Sequence, residues 1–236
     1  MLEVEAIDTY RGQAQILRRV SLSVGEGEAV CLVGRNGAGK TTTIDSIIGL
    51  LPLRSGRITF QGKDIGSLPS YKRARLGIGY APEDSGLFPD LTVAENLQIC
   101  RWLAQSSGRA AQAAATDQRV FAVFPEVREL LQRRGGYLSG GQRKMVAIAR
   151  AMMLSPVVLL LDEPFEGLAP VVVTRLVEAV RKIKEMKISV LIAESNLANA
   201  GRVADRLYAI DRGEIIYHGD PRLVVENQAV METIRG

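Results

Sequence analysis

The feature that most restricts the fold is the run Gly34-Arg35-Asn36-Gly37-Ala38-Gly39-Lys40-Thr41. It follows the apolar stretch Ala29–Val33 and precedes a helical pattern from Lys40 through Leu50, which Pro52 closes. A glycine-rich loop between a strand and a helix can wrap its backbone N–H groups around phosphate oxygens. The helix N-terminus adds a favourable dipole, Lys40 neutralises β- and γ-phosphate charge, and Thr41 can ligate Mg2+. The nine residues from Gly34 to Thr42 are therefore the expected nucleotide cradle.

The rest of the chain reads as α/β. Early strands are expected at Leu2–Ile7, Val20–Val24 and Ala29–Val33, with short strands at Arg57–Phe60 and Leu76–Tyr80. The middle, Leu91 to Arg134, reads as helical. After it come a helix from about Gly141 to Leu154, a wholly apolar strand Val157–Leu161 and a helix near Val171–Lys187. Strands at Ser189–Ala193, Arg206–Ile210 and Glu214–Tyr217 follow. A continuous apolar strand such as Val157–Leu161 is what a central parallel strand covered on both faces requires. It runs into Asp162-Glu163-Pro164, placing two carboxylates at the strand end where open α/β sheets bind ligands. Asp162 would hold the metal shell, and Glu163 would polarise or deprotonate the attacking water of a phosphoryl transfer.

Composition excludes more than it names. At 236 residues and 47% hydrophobic content the chain can bury a sizeable core, as one domain or one domain with an inserted lobe. A net charge of +4 is compatible with scattered solvated arginines as well as with an anionic partner. Cys31 and Cys100 form no CxxC or Cys/His cluster, so neither a disulfide framework nor a zinc site is expected, and a reducing compartment fits. The N-terminus carries acids where a signal peptide would be basic. No apolar run approaches the roughly 18 residues of a membrane span. The chain is expected to be soluble, meeting a membrane only through a partner.

Between the two phosphate elements stands Leu138-Ser139-Gly140-Gly141-Gln142, directly before a helix. In this order the motifs resemble the ATP-binding cassette (ABC) family, whose signature is LSGGQ, and the resemblance covers essentially the whole chain. It implies a P-loop NTPase ABC ATPase core with an N-terminal antiparallel β subdomain and an inserted helical lobe over residues 87–140, within a single nucleotide-binding domain, 1–236. It implies ATP and Mg2+ as cofactors. It also implies head-to-tail dimerisation, in which Ser139, Gly140, Gly141 and Gln142 close over the nucleotide of the other subunit. Tyr10 matches the aromatic that stacks on adenine, and Glu166-Gly167-Leu168-Ala169-Pro170 resembles the loop that meets the partner, with Leu168 and Ala169 at the seam.

Two positions depart from the family pattern. Where a glutamine is usual at the entry to the helical lobe, the chain has Glu83, which could still meet Mg2+ or water. Where a histidine usually contacts the γ-phosphate, it has Ser195, and weaker γ-phosphate sensing follows. The single histidine, His218, comes too late to substitute and reads as a turn residue. The catalytic set implied is Glu163, Lys40 and Ser195, and the metal set Thr41, Glu83 and Asp162.

Pro82-Glu83, the stretch Leu87–Leu97, the Glu-Gly-Leu-Ala-Pro loop and Glu194-Ser195-Asn196 together resemble the branched-chain amino acid importer ATPases. The expectation is an importer motor on the inner face of the cell membrane. Its partners would be a second ATPase subunit, alike or different, permease subunits and, indirectly, a solute-binding protein, with no nucleic acid. The competing readings are an exporter motor and a soluble ABC ATPase of DNA repair or translation. The latter generally carries long insertions for which 236 residues leave no room.

Overall fold

A computed structural model describes residues 1–106 and 110–235. Alternating burial along the early segments folds them into an antiparallel sheet. It comprises β1 (Leu2–Arg11), β2 (Ala14–Val24), β4 (Leu53–Phe60) and β5 (Lys63–Asp64), in the order β2-β1-β4-β5. A second sheet, apolar and buried at its centre, forms from β3 (Ala29–Val33), β6 (Ile78–Ala81), β7 (Val158–Asp162), β8 (Ser189–Glu194), β9 (Arg206–Asp211) and β10 (Glu214–Gly219). Its order is β10-β9-β3-β8-β7-β6, parallel except for β10.

Because strand side chains alternate, each central strand feeds two cores. Cys31, Leu161 and Ile192 face one core with α6 (Gly140–Met152) and α7 (Pro170–Glu185). Val30, Leu32, Leu160 and Leu191 face the other, where α1 (Lys40–Ile48) packs with residues of the antiparallel sheet. Between β6 and β7 the chain runs through α3 (Val93–Ser106), α4 (Ala110–Val123) and α5 (Pro125–Glu129) before α6. Residues 107–109 of the expected lobe lie outside the described residues. Val120, Val123, Phe124 and Val127 from this stretch join the first core. The remaining helices are α2 (Ser70–Leu76), α8 (Leu197–Gly201) and α9 (Gln228–Arg235).

The structure corrects several boundaries. Leu76 closes α2, and Gly77, at φ 108°, turns the chain into β6, so the strand expected at Leu76–Tyr80 is Ile78–Ala81. The first helix stops at Ile48, where Gly49 takes φ 79° and donates to Asp45 and Ser46 carbonyls. The first hairpin is longer than expected, since pairing continues through Thr9↔Leu17 to Arg11↔Ala14. Among the described residues no helix is long and apolar enough to cross a membrane.

Helix α2 exists for what Arg73 does. This guanidinium is buried and donates to four carbonyls, those of Ser46, Ile47, Gly66 and Leu68, each at 2.8 Å. Two belong to the last turn of α1, which has no basic residue of its own. Arg73→Ala orphans these acceptors, and at about 1–3 kcal/mol for an unsatisfied buried group the expected loss is about 3 kcal/mol. In a domain of this size that lowers the melting midpoint by about 6–12 °C. Thermal unfolding followed by circular dichroism checks it, and an unchanged midpoint contradicts the role.

Candidate active site

Strand β8 lies between β3 and β7, so the loops leaving the carboxyl ends of all three converge. The loop after β3 is Gly34–Gly39. A Cβ on Gly34 would sit 2.3 Å from the Ile210 carbonyl oxygen, and Gly39 holds φ 117°, which favours glycine. The loop thus closes tightly against β9 and delivers Lys40 as the first residue of α1.

The Lys40 ammonium is buried. It donates to the carbonyls of Gly34 (2.8 Å) and Arg35 (3.1 Å) and to Ser195 Oγ (2.9 Å), and lies 3.0 Å from Glu163 Oε1. Ser195 completes the ring. Its N–H donates to Glu163 Oε2 at 3.0 Å, and its hydroxyl lies 2.5 Å from Glu163 Oε1 and 2.9 Å from Asn36 Oδ1. Glu163 adopts φ 45°, a left-handed conformation unusual for a non-glycine residue. Such a residue stores on the order of 1–3 kcal/mol of strain and persists where its surroundings hold it. Here they do, through its N–H to the Ala193 carbonyl (2.9 Å) and its own carbonyl, which accepts from Lys144 Nζ at 2.7 Å.

Asp162 sits one residue before, almost fully buried. Oδ1 accepts from the Thr41 hydroxyl at 3.2 Å, and Oδ2 meets no donor. Burial, opposed by the Thr41 bond and reinforced by Glu163, Glu83 and Asp45, raises its pKa from 3.8 to about 6. A buried carboxylate oxygen without a donor, beside a threonine hydroxyl, is the hard oxygen set that suits Mg2+, which also keeps waters and phosphate oxygens in its shell. The residues present fit that ion. Glu83 lies nearby by charge, but its carboxyl shares a hydrogen bond with Glu166, whose pKa burial and neighbouring acids raise. The Glu83 carbonyl accepts from Lys144 Nζ at 2.7 Å.

A cavity of about 470 Å3 opens in front of this cluster, lined by Asn36, Lys40, Thr41, Thr42, Glu83 and Glu163 among others. Two further lining residues, Arg11 and Ile16, carry no sequence motif. Arg11 reaches the site because Asp45 on α1 holds Nη2 at 2.5 Å while Nε donates to Thr42 Oγ1 at 3.2 Å. Tyr10, its neighbour on β1, is 38% exposed and is not among the lining residues. The signature residues Ser139, Gly140, Gly141 and Gln142 lie at the start of α6 and do not line this cavity either. Ser139 and Gln142 close a reciprocal cap there, with Ser139 N–H donating to Gln142 Oε1 (3.0 Å) and Gln142 N–H to Ser139 Oγ (3.3 Å).

The family model described as ABC transporter matches residues 17–166. The chain is 35% identical to the high-affinity branched-chain amino acid transport ATP-binding protein BraG of Pseudomonas aeruginosa, over the full length of both. It is 34% identical to the lipopolysaccharide export system ATP-binding protein LptB of Escherichia coli K12, covering 96% of this chain and 93% of that one. The fold matches the ADP conformation of MJ1267, an ATP-binding cassette of an ABC transporter, with a TM-score of 0.85 and 30% identity, covering 100% of this chain and 98% of the other.

The Asp162 geometry carries a stability cost that can be measured. The unfolded carboxyl loses its proton near 3.8 and the folded one near 6. As pH rises between these values the folded state still holds a proton that the unfolded state has released, so this group's contribution falls through that window and stays low above it. Two pKa units correspond to about 3 kcal/mol. Asp162→Asn is therefore expected to raise the melting midpoint of the nucleotide-free chain at neutral pH, with the gain vanishing near pH 4, while abolishing any Mg2+-dependent stabilisation by ATP. A lower midpoint at neutral pH contradicts this.

Proposed function

The chain belongs to the ABC transporter family and is an ATPase subunit, and from that premise we propose that it drives an importer of branched-chain amino acids or a related small polar solute. The cluster of Lys40, Glu163, Ser195, Thr41 and Asp162 on one sheet edge carries the hydrolytic part of this reading. The full-length likeness to BraG supports import, whereas the nearly equal likeness to LptB favours an exporter motor as the second reading.

Phosphoryl transfer needs positioned charge and an oriented water more than covalent help. In the proposed mechanism the glycine loop and the first amides of α1 bind the phosphates. Lys40 transfers its hydrogen bonds from Ser195 and Glu163 to the β- and γ-phosphate oxygens. That releases Glu163 to orient and deprotonate water. Thr41 and Asp162 would hold Mg2+, with Glu83 as a third oxygen donor to the ion or its waters, and the ion would supply charge neutralisation to the phosphates. Ser195, uncharged and short, touches the γ-phosphate end. Tyr10 is the proposed adenine platform, with Arg11 and Ile16 beside it.

The second half of the site comes from another subunit. The α6 start, Ser139 to Gln142, is exposed or half-exposed and does not line its own cavity, which is consistent with a trans contact. Leu168 and Ala169 stand beside it at the proposed seam. ATP closes the dimer, closure moves permease subunits through the α3–α6 lobe, and the chain sits peripherally on the membrane through those subunits. Whether the second ATPase is identical or a different chain, the same seam serves.

Glu163→Gln should keep ATP affinity, lower turnover by about 10²–10⁴-fold and accumulate an ATP-bound dimer on gel filtration, whereas Lys40→Ala should lose nucleotide binding. Wild-type turnover in Glu163→Gln would sink the assignment of the base. Uptake of labelled leucine by vesicles containing the chain with its permease separates import from export, and ATP-dependent movement outward would favour the second reading.

A further inference from the structure

Lys144 stands in the second turn of α6, half-buried, and its ammonium goes to two main-chain carbonyls that are distant in sequence. Nζ donates to the Glu83 oxygen at 2.7 Å and to the Glu163 oxygen at 2.7 Å. The charges of Glu83, Glu166, Asp162 and Glu163 all act on this ammonium. Its two hydrogen bonds nevertheless run to the backbone and not to those carboxylates, so its place is fixed by main-chain geometry.

One of those carbonyls belongs to a residue whose backbone resists its own conformation. Glu163 has φ 45°, in the left-handed region where a side chain crowds the following carbonyl. Pro164 follows, and a residue before proline is pressed toward extended conformations. Bonds on both sides oppose that relaxation. The Glu163 N–H donates to the Ala193 carbonyl at 2.9 Å, and its own carbonyl accepts Lys144 Nζ at 2.7 Å and, more weakly, the Glu166 N–H at 3.3 Å. The Glu163 carboxylate, by contrast, is held by Lys40 and Ser195, the two groups that turn to the phosphates in the proposed mechanism. As those contacts are given up, the base depends on its main chain, and the charged donor on that main chain is Lys144.

A second cation of α6 separates this role from simple attachment of the β6 exit. Arg150 donates to the Gly86 carbonyl at 2.5 Å and to the Ser85 carbonyl at 3.2 Å. Lys144 and Arg150 thus both fasten the stretch 83–86 to α6. Of the two, it is Lys144 that also reaches Glu163.

We propose that Lys144 is a positioning residue for hydrolysis: by clamping the Glu163 carbonyl to α6 and to the Glu83 carbonyl, it keeps the base in its left-handed conformation and so aims the carboxylate. The inference rests on Glu163 being the base. Lys144 acts through the Glu163 peptide and touches neither the attacking water nor the phosphates.

The test uses the purified full-length chain with Lys144→Met, which keeps most of the stem and removes the donors, and Arg150→Met as the control that loosens the same loop. Lys144→Met should lower kcat by roughly 10–100-fold, the scale of a misplaced catalytic group, with KM for ATP unchanged. Arg150→Met should stay within about threefold of wild type, since its bonds do not reach Glu163. Hydrogen exchange read by mass spectrometry on the nucleotide-free chain gives a measure independent of turnover. The Glu163 and Glu166 amides should exchange roughly tenfold faster in Lys144→Met, as loss of a charge-assisted hydrogen bond predicts, and at the wild-type rate in Arg150→Met. The proposal is overturned by wild-type kcat in Lys144→Met, by a loss that appears in KM instead, by an equal loss in Arg150→Met, or by unchanged exchange at Glu163. If Lys144→Met does not fold, Lys144→Gln, one atom shorter and uncharged, is read by the same two measurements with the same expected directions. Failure of the base assignment itself would appear separately, as wild-type turnover in Glu163→Gln, while the exchange difference between Lys144→Met and Arg150→Met still reports the clamp.

Discussion

A single buried ammonium organises the carboxyl edge of the large sheet. Lys40 is held by two carbonyls of its own loop, so its charge is fixed before any ligand arrives. It then draws in Glu163 and Ser195, which leave two other strands more than a hundred residues later. A buried ion pair of this kind adds little net stability, because desolvation offsets much of the attraction. Its value is geometric: it sets the distance between the phosphate loop, the carboxylate and the serine. In the proposed mechanism the phosphates would take over the Lys40 contacts that Ser195 and Glu163 make here.

The acids around this ammonium outnumber the cations. Asp162, Glu163, Glu166 and Glu194 crowd one edge, with Glu83 joining from the β6 exit. Three devices relieve the crowding. Asp162, with one oxygen unpartnered, is pushed up to about 6 by burial, which favours its neutral form. Burial and the charges of Glu83 and Glu163 push the Glu166 carboxyl above its ordinary value. Lys144 reaches in from α6, and although burial lowers its pKa, the four surrounding acids Glu83, Glu166, Asp162 and Glu163 oppose that shift. Its two bonds, to the Glu83 and Glu163 carbonyls, tie the helix that follows the signature to the end of β7 and to the β6 exit at once. A movement of α6 therefore reaches the reacting edge through one side chain.

The phosphate loop was legible in the sequence because glycine spacing and a strand–helix boundary are local properties. So was the central sheet, since Val158–Leu161 and Val190–Ala193 are apolar on both faces and demand cover. Helix α2 was not, because Arg73 sits in a run, Ser70–Leu76, whose three basic residues read as solvated. Its four acceptors come from 5 to 27 residues away, and no local pattern announces them. Arg11 and Ile16 escaped for a similar reason, since their place at the cavity depends on how the first hairpin crosses α1. Lys144 looked like an ordinary continuation of the signature helix. Glu194 looked like a strand end, and only the convergence of β7 and β8 shows it beside Glu163.

The signature glycines illustrate why a motif and its cause can differ. A Cβ on Gly141 would lie 2.7 Å from Val172 Cγ1, so a larger residue there would have to displace that side chain, where α6 packs on the start of α7. A Cβ on Gly140 would come no closer than 3.9 Å, to Leu168, and has no such intramolecular reason. The α6 start and the Glu166–Pro170 loop are thereby packed as one surface. Glu166 at one end of that loop lines the nucleotide cavity, and Leu168 at its middle packs beside the signature. A link of about three residues thus joins the edge of this cavity to the surface at the start of α6.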